Sequence, residues 1–356
     1  MLSRLVSLAR YLDVAGPPVL GLAIYADHRG AAFGARESGE EGVACVDDAA
    51  RAVVLWCDVW ERTRSPVARA WIDGLVAFCH WTQQADGRFL NFILDWNGAL
   101  NVEGPTSRVD GSSFWHARGA RAMAKVWRTL GDAQARVDYE RARVWFDQGN
   151  PGSDVRAIQV LAAIDAEDAK QDITRWCDDI VSQRRGDVLV DAHDAERPHL
   201  WAHVQEGVLA RAATALGRPE LLEVARRSAD AYLVPLIQGG FDVPTVQPYG
   251  AASAVFTMER LAEATGDPRY GAAARDARAW FDGRNPAGLP VYDRAAGRVA
   301  DGIDNGRLNP HSGAESNVLG AQALRAEVSA WVVRHPDACS PSARSSRSSD
   351  VSSAAS

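Results

Sequence analysis

The sequence predicts an all-α fold in which six helical hairpins close into a ring, an (α/α)6 toroid with inner and outer helix layers. Three observations support this prediction: an internal repeat, an alternation between two kinds of helix, and long loops that lead into the inner helices. The chain has 356 residues, 47% of them hydrophobic, and 12 tryptophans, which is enough apolar surface for one large core.

The internal repeat places Ala-Arg-x-Trp-Phe at the same distance after Gly-Asp in two segments. These segments are LGDAQARVDYERARVWF, which starts at Leu130, and TGDPRYGAAARDARAWF, which starts at Thr265. A weaker copy starts at Leu216. In each copy, glycine ends one helix as a C-cap, and Asp or Pro lies in the first turn of the next helix. A unit of two helices is therefore repeated along the chain.

The helices alternate in character. Those after each glycine have one apolar stripe, which predicts an outer layer, whereas those before it are small or apolar nearly all round, which predicts burial. The pattern predicts twelve helices, six inner and six outer, near 2–13, 46–61, 65–83, 112–130, 132–147, 153–165, 168–182, 198–216, 219–235, 247–265, 267–282 and 312–334.

An open helical solenoid is the competing architecture, but it would have short and regular loops. Here the connections are long, at 14–44, 84–111, 184–197, 236–246 and 283–311. Each leads into an inner helix, so we expect them to gather on the face where the inner helices begin and to hold the functional site.

Composition excludes several classes of function. The formal net charge is −7 and basic residues are scattered, so no nucleic-acid partner is expected. Residues 1–14 predict an amphipathic helix rather than a signal peptide, and no apolar run of about 18 residues predicts a membrane span. The five cysteines lack C-x-x-C spacing, which favours a reducing, cytoplasmic location. One domain is expected over 1–335, followed by a disordered, Ser-rich tail over 336–356.

Candidate site residues crowd the end of the last long loop, in DGIDNGRLNPHSGAES. Ser312 and Glu315 have the spacing of a capping box, in which each side chain accepts the backbone N–H of the other. Capping leaves Asp301 and Asn309 unexplained, so the alternative is that Glu315 points into a cleft.

The segment VDDAARA raises the same choice at the start of the first inner helix. Asp47 and Asp48 are favoured there by the helix dipole, and Arg51 is spaced to pair with either carboxylate. The two interpretations are a structural ion pair and a carboxylate held in place for chemistry.

Polar and aromatic side chains in the loops give further candidates for sugar binding. In FILDWNG, Asp95, Trp96 and Asn97 could stack on and hydrogen-bond a sugar, or form a hydrophobic plug. Asp110 precedes Trp115 at another inner helix, where Asp110 or Ser112 could equally be the N-cap.

His199 and His203 have i, i+4 spacing, which can suit a metal, but no third ligand is evident. Satisfied core or cleft histidines are favoured, with no metal. Gln247 and Tyr249 begin a further inner helix, either as polar cleft lining or as an ordinary helix start. No nucleotide-binding motif is present, so no cofactor is expected.

The order of DDAARA, QPYGAASA and WFDGRNPAGLPVYDRAAGRVADGIDNGRLNPHSGAES resembles a family of proteins over most of residues 20–330. These are the six-hairpin, (α/α)6-toroid proteins with glycosidase-like folds that occur beside or fused to glycosyltransferases. The resemblance implies a carbohydrate substrate and an association with a glycosyltransferase. The positions that match the family pattern are Asp47, Asp48, Arg51, Gln247, Asn285, Tyr292, Asp293, Asp301, Asn309 and Glu315. The chain departs from that pattern at VDGSSFWHARG and HLWAHVQEG.

Together these features favour a glycoside hydrolase, because glycosidic cleavage needs one carboxylic acid and one carboxylate. Glu315 and one of Asp47 or Asp48 are the expected pair, with Asp301 next. One alternative is a sugar epimerase or isomerase that uses His193, His199 or His203 to carry protons. The other is a non-catalytic sugar-binding partner of a glycosyltransferase. The side chains expected to bind substrate are Arg51, Asp95, Trp96, Asn97, Asp110, Trp115, His199, Gln247, Asn285, Tyr292, Asp293 and Asn309.

Overall fold

The computed structural model describes residues 1–341, and α-helices dominate the fold. In chain order the helices are α1 (Leu2–Leu8), α2 (Val46–Thr63), α3 (Pro66–Thr82), α4 (Phe114–Leu130), α5 (Ala133–Arg143), α6 (Ser153–Asp165), α7 (Lys170–Ser182), α8 (Gln205–Leu216), α9 (Pro219–Ser228), α10 (Val234–Gln238), α11 (Pro248–Thr265), α12 (Pro268–Ala279), α13 (Ala314–Ala323) and α14 (Arg325–Arg334).

The inner layer is a closed ring. Helices α2, α4, α6, α8, α11 and α13 contact one another in that order, and α13 returns to contact α2. The predicted toroid is therefore confirmed. The open solenoid is wrong, because the first and last inner helices would not meet in a solenoid.

The outer layer follows the predicted hairpins. Helices α3, α5, α7, α9 and α12 each pack on the inner helix before them. Helix α1 packs on α13, so the two ends of the described chain together complete the ring. The repeat explains three of the hairpin turns, since Gly131, Gly217 and Gly266 follow α4, α8 and α11 with φ of 69°, 71° and 69°. Glycine adopts this left-handed conformation without a steric penalty.

Several predicted helices differ at their ends. The helix expected over 2–13 ends at Leu8, because Ala9–Tyr11 pairs with Leu20–Leu22 as a strand. The helix expected over 198–216 begins only at Gln205, because Leu200 and Ala202 have positive φ of 47° and 62°, which a helix cannot accommodate. The helix expected over 312–334 is interrupted at Leu324, where φ is −109° and ψ is 28°. The interruption leaves α13 in the inner ring and turns α14 against α2.

The long loops contain short strands that pair with one another. They are β1 (Ala9–Tyr11), β2 (Leu20–Leu22), β3 (Tyr25–Ala26), β4 (Ala32–Phe33), β5 (Ala44–Cys45), β6 (Phe92–Ile93), β7 (Arg184–Arg185), β8 (Val188–Leu189), β9 (Thr245–Val246), β10 (Tyr292–Asp293), β11 (Arg298–Val299), β12 (Gly302–Asp304) and β13 (Arg307–Asn309). Antiparallel pairing of β5 with β6 joins the loops before α2 and after α3. Pairing of β12 with β9 joins the loops before α13 and α11. These loops therefore meet on one face, as predicted.

Large aromatic side chains fill the space between the two layers. Trp56 of α2 and Trp71 of α3 stack with ring centroids 5.0 Å apart and planes 8° from parallel. Phe146 and Phe281, the last residues of the two repeat copies, are fully buried. Burial of each such side chain contributes about 1.5–3 kcal/mol, so the repeat marks positions that hold the layers together.

The remaining part of the chain is only partly described. The segment expected to be a disordered tail from 336 begins with a short 3-10 helix, Asp337–Cys339. Residues 342–356 lie outside the described residues. None of the helices within 1–341 combines the length and the hydropathy needed to cross a membrane.

Candidate active site

Three carboxylates lie where the inner helices α2 and α13 begin, and one arginine joins two of them. Arg51 places Nη1 2.9 Å from Asp48 Oδ1 and Nη2 2.8 Å from Glu315 Oε1. The closure of the ring brings the two helices together, so the first and last inner helices share one guanidinium. Because both nitrogens donate to carboxylates, the relative position of Asp48 and Glu315 is fixed.

A second arginine holds the third carboxylate. Arg118 of α4 donates from Nη1 to Asp47 Oδ2 at 2.7 Å and from Nη2 to the Tyr249 hydroxyl at 2.5 Å. The Arg51 guanidinium lies 4.8 Å from the centre of the Tyr249 ring, which is within cation–π distance. Tyr249 therefore lies between the two arginines. The four elements α2, α4, α11 and α13 build one charged cluster.

The structure decides between the two interpretations of Glu315. The N-cap residue of α13 is Gly313, and it makes no side-chain cap hydrogen bond. Ser312 Oγ instead accepts a hydrogen bond from Asn317 Nδ2 at 3.0 Å. The capping-box prediction is wrong, because Glu315 pairs with Arg51 rather than turning back to Ser312.

Asp47 and Asp48 do not cap α2 either. The N-cap of this helix is Cys45, whose Sγ accepts the Asp48 backbone N–H at 3.5 Å. Asp47 Oδ1 is enclosed and has no hydrogen-bond partner among the described residues. The side chains of Asp47 and Asp48 are therefore available for pairing with the arginines, which both interpretations given above require.

Exposure separates the carboxylates into those that a ligand can reach and one that it cannot. The side chain of Glu315 is 34% exposed and that of Asp47 is 17% exposed, but that of Asp48 is only 3% exposed. Burial raises the pKa of Asp48 to about 7, and the charges of Glu315 and Asp47 add to this effect, although Arg51 opposes it. Asp48 therefore holds a proton for part of the time near neutral pH.

Asp301 holds the backbone that leads into α13. Its Oδ1 accepts the Gly313 backbone N–H at 2.9 Å, which fixes the chain two residues before Glu315. Burial raises the pKa of Asp301, whereas hydrogen bonds from Gly313 and Ser316 oppose the shift. Its contacts with the backbone place it as a residue that positions α13.

An exposed tryptophan forms one side of the cluster. Trp201 is 38% exposed, and its ring centroid lies 5.6 Å from that of Tyr249 and 4.7 Å from that of Phe114. The positive φ of Leu200 and Ala202 turns the chain on both sides of this residue. Trp201 and Arg118 are absent from the residues predicted to form the site. Trp201 was missed because the segment 198–216 was predicted to be helical. The turn that exposes its indole is visible only in the structure.

The two histidines of HLWAH lie beside Trp201 but in different environments. The His203 ring contacts Asp191 at 2.7 Å and Glu206 at 3.0 Å, and all three side chains are buried. Burial alone would lower the pKa of His203, but the charges of Glu206 and Asp191 raise it well above its usual value. His203 is therefore a satisfied, charged core residue.

His199 is exposed to solvent. Its side chain is 46% exposed, and its Nε2 lies 3.4 Å from Asp154 Oδ2, a contact that raises the pKa of His199. Asp154, Asp191 and His199 present ligand atoms within 4.8 Å of one another, so these three could coordinate a metal ion. The expectation that the protein needs no metal stays a prediction.

The loop of Asp95, Trp96 and Asn97 packs against the N-terminal strands. Asp95 Oδ1 accepts the Asn97 backbone N–H at 2.9 Å, and the Arg10 guanidinium lies 5.3 Å from the Trp96 ring. Within residues 1–341, no hydrogen bond or ion pair links these three side chains to Arg51.

Asp110 and Trp115 flank the start of α4. The N-cap is Ser113, whose Oγ accepts the His116 backbone N–H at 3.3 Å, so the predicted caps Asp110 and Ser112 are wrong. Asp110 Oδ1 accepts instead from Ser112 N–H at 2.8 Å. Trp115 packs on the core, and its Nε1 has no hydrogen-bond partner among the described residues.

Three predicted polar residues lie at loop ends. Gln247 is the exposed N-cap residue of α11 and makes no side-chain cap hydrogen bond. Asn285 Nδ2 donates at 2.8 Å to the carbonyl of Trp280. Asn309 Oδ1 accepts the His311 backbone N–H at 3.2 Å. The two asparagines therefore fix loop backbone.

Tyr292 and Asp293 line a separate groove of about 500 Å³, together with Arg298. Asp293 Oδ1 accepts the Ala296 backbone N–H at 3.0 Å, which holds the turn between β10 and β11. The structure brings Asp47, Asp48, Arg51 and Glu315 together, whereas Tyr292 and Asp293 line a groove that includes none of these four.

Solved structures share this fold at low sequence identity. Cellobiose 2-epimerase from Bacillus thermoamylovorans aligns with a TM-score of 0.66 at 9% identity, over 86% of this chain and 92% of that chain. A family 76 glycoside hydrolase (mannosidase) from Bacteroides thetaiotaomicron gives 0.62 at 10% identity, over 94% and 98%. A D-mannose isomerase gives 0.62 at 11% identity, over 86% and 92%. No family model and no curated protein matches the sequence. The chain therefore has the fold of the six-hairpin, glycosidase-like toroid proteins.

Proposed function

We propose that this protein is a carbohydrate-processing enzyme of the glycoside hydrolase type. The observation that carries the proposal is the arrangement of Asp47, Asp48 and Glu315 around two arginines at the start of the inner helices. Aromatic surface beside charged groups suits a sugar, because its C–H faces stack on rings while its hydroxyls need hydrogen bonds. Trp201 supplies the exposed aromatic surface.

Glycosidic cleavage needs a proton for the leaving oxygen and a carboxylate that activates water or stabilises the developing positive charge at the anomeric carbon. Glu315 and Asp47 are the carboxylates that a substrate can touch, so we assign these two roles to this pair. Asp48 is too enclosed for contact with a sugar. Its proton reduces the negative charge beside Glu315, since both carboxyl groups share Arg51.

A second candidate is a sugar epimerase or isomerase, which the exposure of His199 beside Trp201 favours. Such a reaction removes a proton from the carbon next to the opened sugar carbonyl and returns it to the other face or to the neighbouring carbon. His199, with its pKa raised by Asp154, is the group available to carry that proton. An association with a glycosyltransferase and a cytoplasmic location both stay predictions.

The test combines a glycan array with product analysis of every glycan that binds, first in H₂O and then in D₂O. Hydrolysis creates new reducing ends, whereas epimerisation leaves the chain intact and places deuterium beside the carbonyl carbon. We expect new reducing ends, and we expect Glu315→Gln and Asp47→Asn each to lower kcat by about 10²- to 10⁴-fold. The exposed Glu140→Gln is the matched control, since Glu140 pairs with the surface residue Arg136.

Three outcomes separate the proposals. Deuterium incorporation without new reducing ends would favour the epimerase and refute the hydrolase. Binding without any turnover would refute both enzymes and support a sugar-binding partner. Full activity in Glu315→Gln would refute the assignment of that residue.

A further inference from the structure

A second cavity lies inside the ring, on the other side of the cluster that holds the carboxylates. It has a volume of about 370 Å³ and is lined by the middle and last turns of the inner helices, among them Arg121, Lys125, Arg211 and Arg260. Arg51, Arg118 and Tyr249 form its upper wall, whereas Asp47, Asp48 and Glu315 do not line it. A volume of this size is in the range of small-molecule sites.

The charge that lines this cavity is mostly positive. Eight arginine and lysine side chains line it against three acidic side chains, Asp58, Glu61 and Asp165. Six of the basic side chains have acidic partners. Lys125 lies 3.0 Å from both Asp58 and Glu61, and Arg211 lies 2.6 Å from Asp165. The other four, Arg51, Arg118, Arg260 and Arg325, pair with acidic side chains outside the cavity lining.

Arg121 has no such acidic partner. Its Nε is enclosed, and within residues 1–341 its guanidinium has no hydrogen bond to a protein group and no acidic side chain within 4.0 Å. Burial lowers the pKa of Arg121, which reflects the cost of the unpaired charge. A cation near the end of a helix can be explained by the helix dipole, but Arg121 lies in the middle of α4, far from either end.

We propose that this basal cavity binds a small oxyanion, of the phosphate or phosphomonoester class, with Arg121 as its central partner. A partly buried guanidinium whose Nε is enclosed and unpaired is costly, and a bound oxyanion would supply the missing acceptors. The cavity, of about 370 Å³, is large enough for a sugar phosphate as well as for inorganic phosphate. The site is independent of the proposed catalytic function.

The cavity opens at the face where the inner helices end. The side chains of Asp58, Glu61 and Arg211 on its rim are 33%, 42% and 32% exposed, whereas Arg51 and Arg118 at its upper wall are only 8% and 4% exposed. An anion would therefore enter from the side of the ring opposite to the carboxylates.

The test is isothermal titration calorimetry of the full chain at pH 7 and low salt with three probes: inorganic phosphate, glucose 6-phosphate and glucose. We expect both phosphates to bind and glucose not to bind. Tighter binding of glucose 6-phosphate would identify a phosphomonoester site, and equal or weaker binding would identify an inorganic oxyanion site. Arg121→Gln should weaken phosphate binding at least about tenfold. Arg128→Gln, on the exposed side of the same helix, should bind as the wild type does.

A second variant keeps the proposal testable if Arg121→Gln folds poorly. Arg121→Met removes the unpaired charge, so its melting temperature without anion should equal or exceed that of the wild type, and phosphate should no longer raise it. Absence of phosphate binding in the wild type, unchanged binding in Arg121→Gln, equal loss in Arg128→Gln, or a lower melting temperature in Arg121→Met would each overturn the proposal.

Discussion

Asp48 provides a test of whether burial outweighs an ion pair in this cluster. Its pKa of about 7 in the folded protein compares with 3.8 in the unfolded chain, so the folded state binds more protons between these two values. Each pKa unit corresponds to about 1.4 kcal/mol, so the wild type should lose about 4 kcal/mol of stability from this group as the pH rises from 4 to 8. Asp48→Asn removes that dependence.

The measurement is urea unfolding of the wild type and Asp48→Asn at pH values from 4 to 8. The free energy of unfolding of the variant, minus that of the wild type, should increase by about 4 kcal/mol between pH 4 and 8, with most of the increase below pH 7. Asp73→Asn is the control, because Asp73 is a surface residue with a 56% exposed side chain. Its difference from the wild type should stay within about 0.5 kcal/mol. A constant or falling difference for Asp48→Asn would show that Arg51 keeps Asp48 ionised, contrary to this reasoning.

Three further outcomes are expected. Trp201→Ala should weaken binding of a glycan found on the array about tenfold by calorimetry and leave the melting temperature nearly unchanged, whereas Phe33→Ala, also exposed, should change neither. His203→Gln should destabilise the protein by about 3–5 kcal/mol in urea unfolding below pH 6.5, where the histidine is charged in both states; the loss should shrink as the pH rises through its raised pKa. Gly302→Ala should lower the melting temperature more than Gly306→Ala, because its Cβ would lie 2.5 Å from the Val246 carbonyl oxygen, while nothing lies near Gly306.

The fold was predictable because its determinants are local. Gly131 and Gly266 end their helices in the conformation that the repeat implies, and Phe146 and Phe281 are buried as matching positions should be. Amphipathic periodicity distinguished the inner from the outer layer in the same way. The helix end at Leu324 was not predictable, since the α13 and α14 segments have no Gly or Pro between them.

The site was only partly predictable because its members are distant in the sequence. Spacing within α2 identified Asp47, Asp48 and Arg51, but no local pattern relates them to Arg118 or Tyr249 on other helices. Glu315 illustrates the same limit. Its local spacing to Ser312 favours a cap, and only the closed ring places Arg51 within 2.8 Å of it. Tertiary proximity therefore decided a choice that spacing left open.

The meeting of α2 and α13 has a further consequence for how the ring responds to a ligand. Two polar contacts cross this junction, the Arg51–Glu315 ion pair and the hydrogen bond from Gln322 Nε2 to the Arg51 carbonyl oxygen at 2.9 Å. The junction joins helices that are far apart in the sequence. Its formation therefore has the largest loop-closure entropy cost of any contact between inner helices. A sugar held between Asp47 and Glu315 would connect these two helices. Ligand binding and opening of the ring are then coupled equilibria: a bound sugar stabilises the closed ring against opening at the junction of α2 and α13.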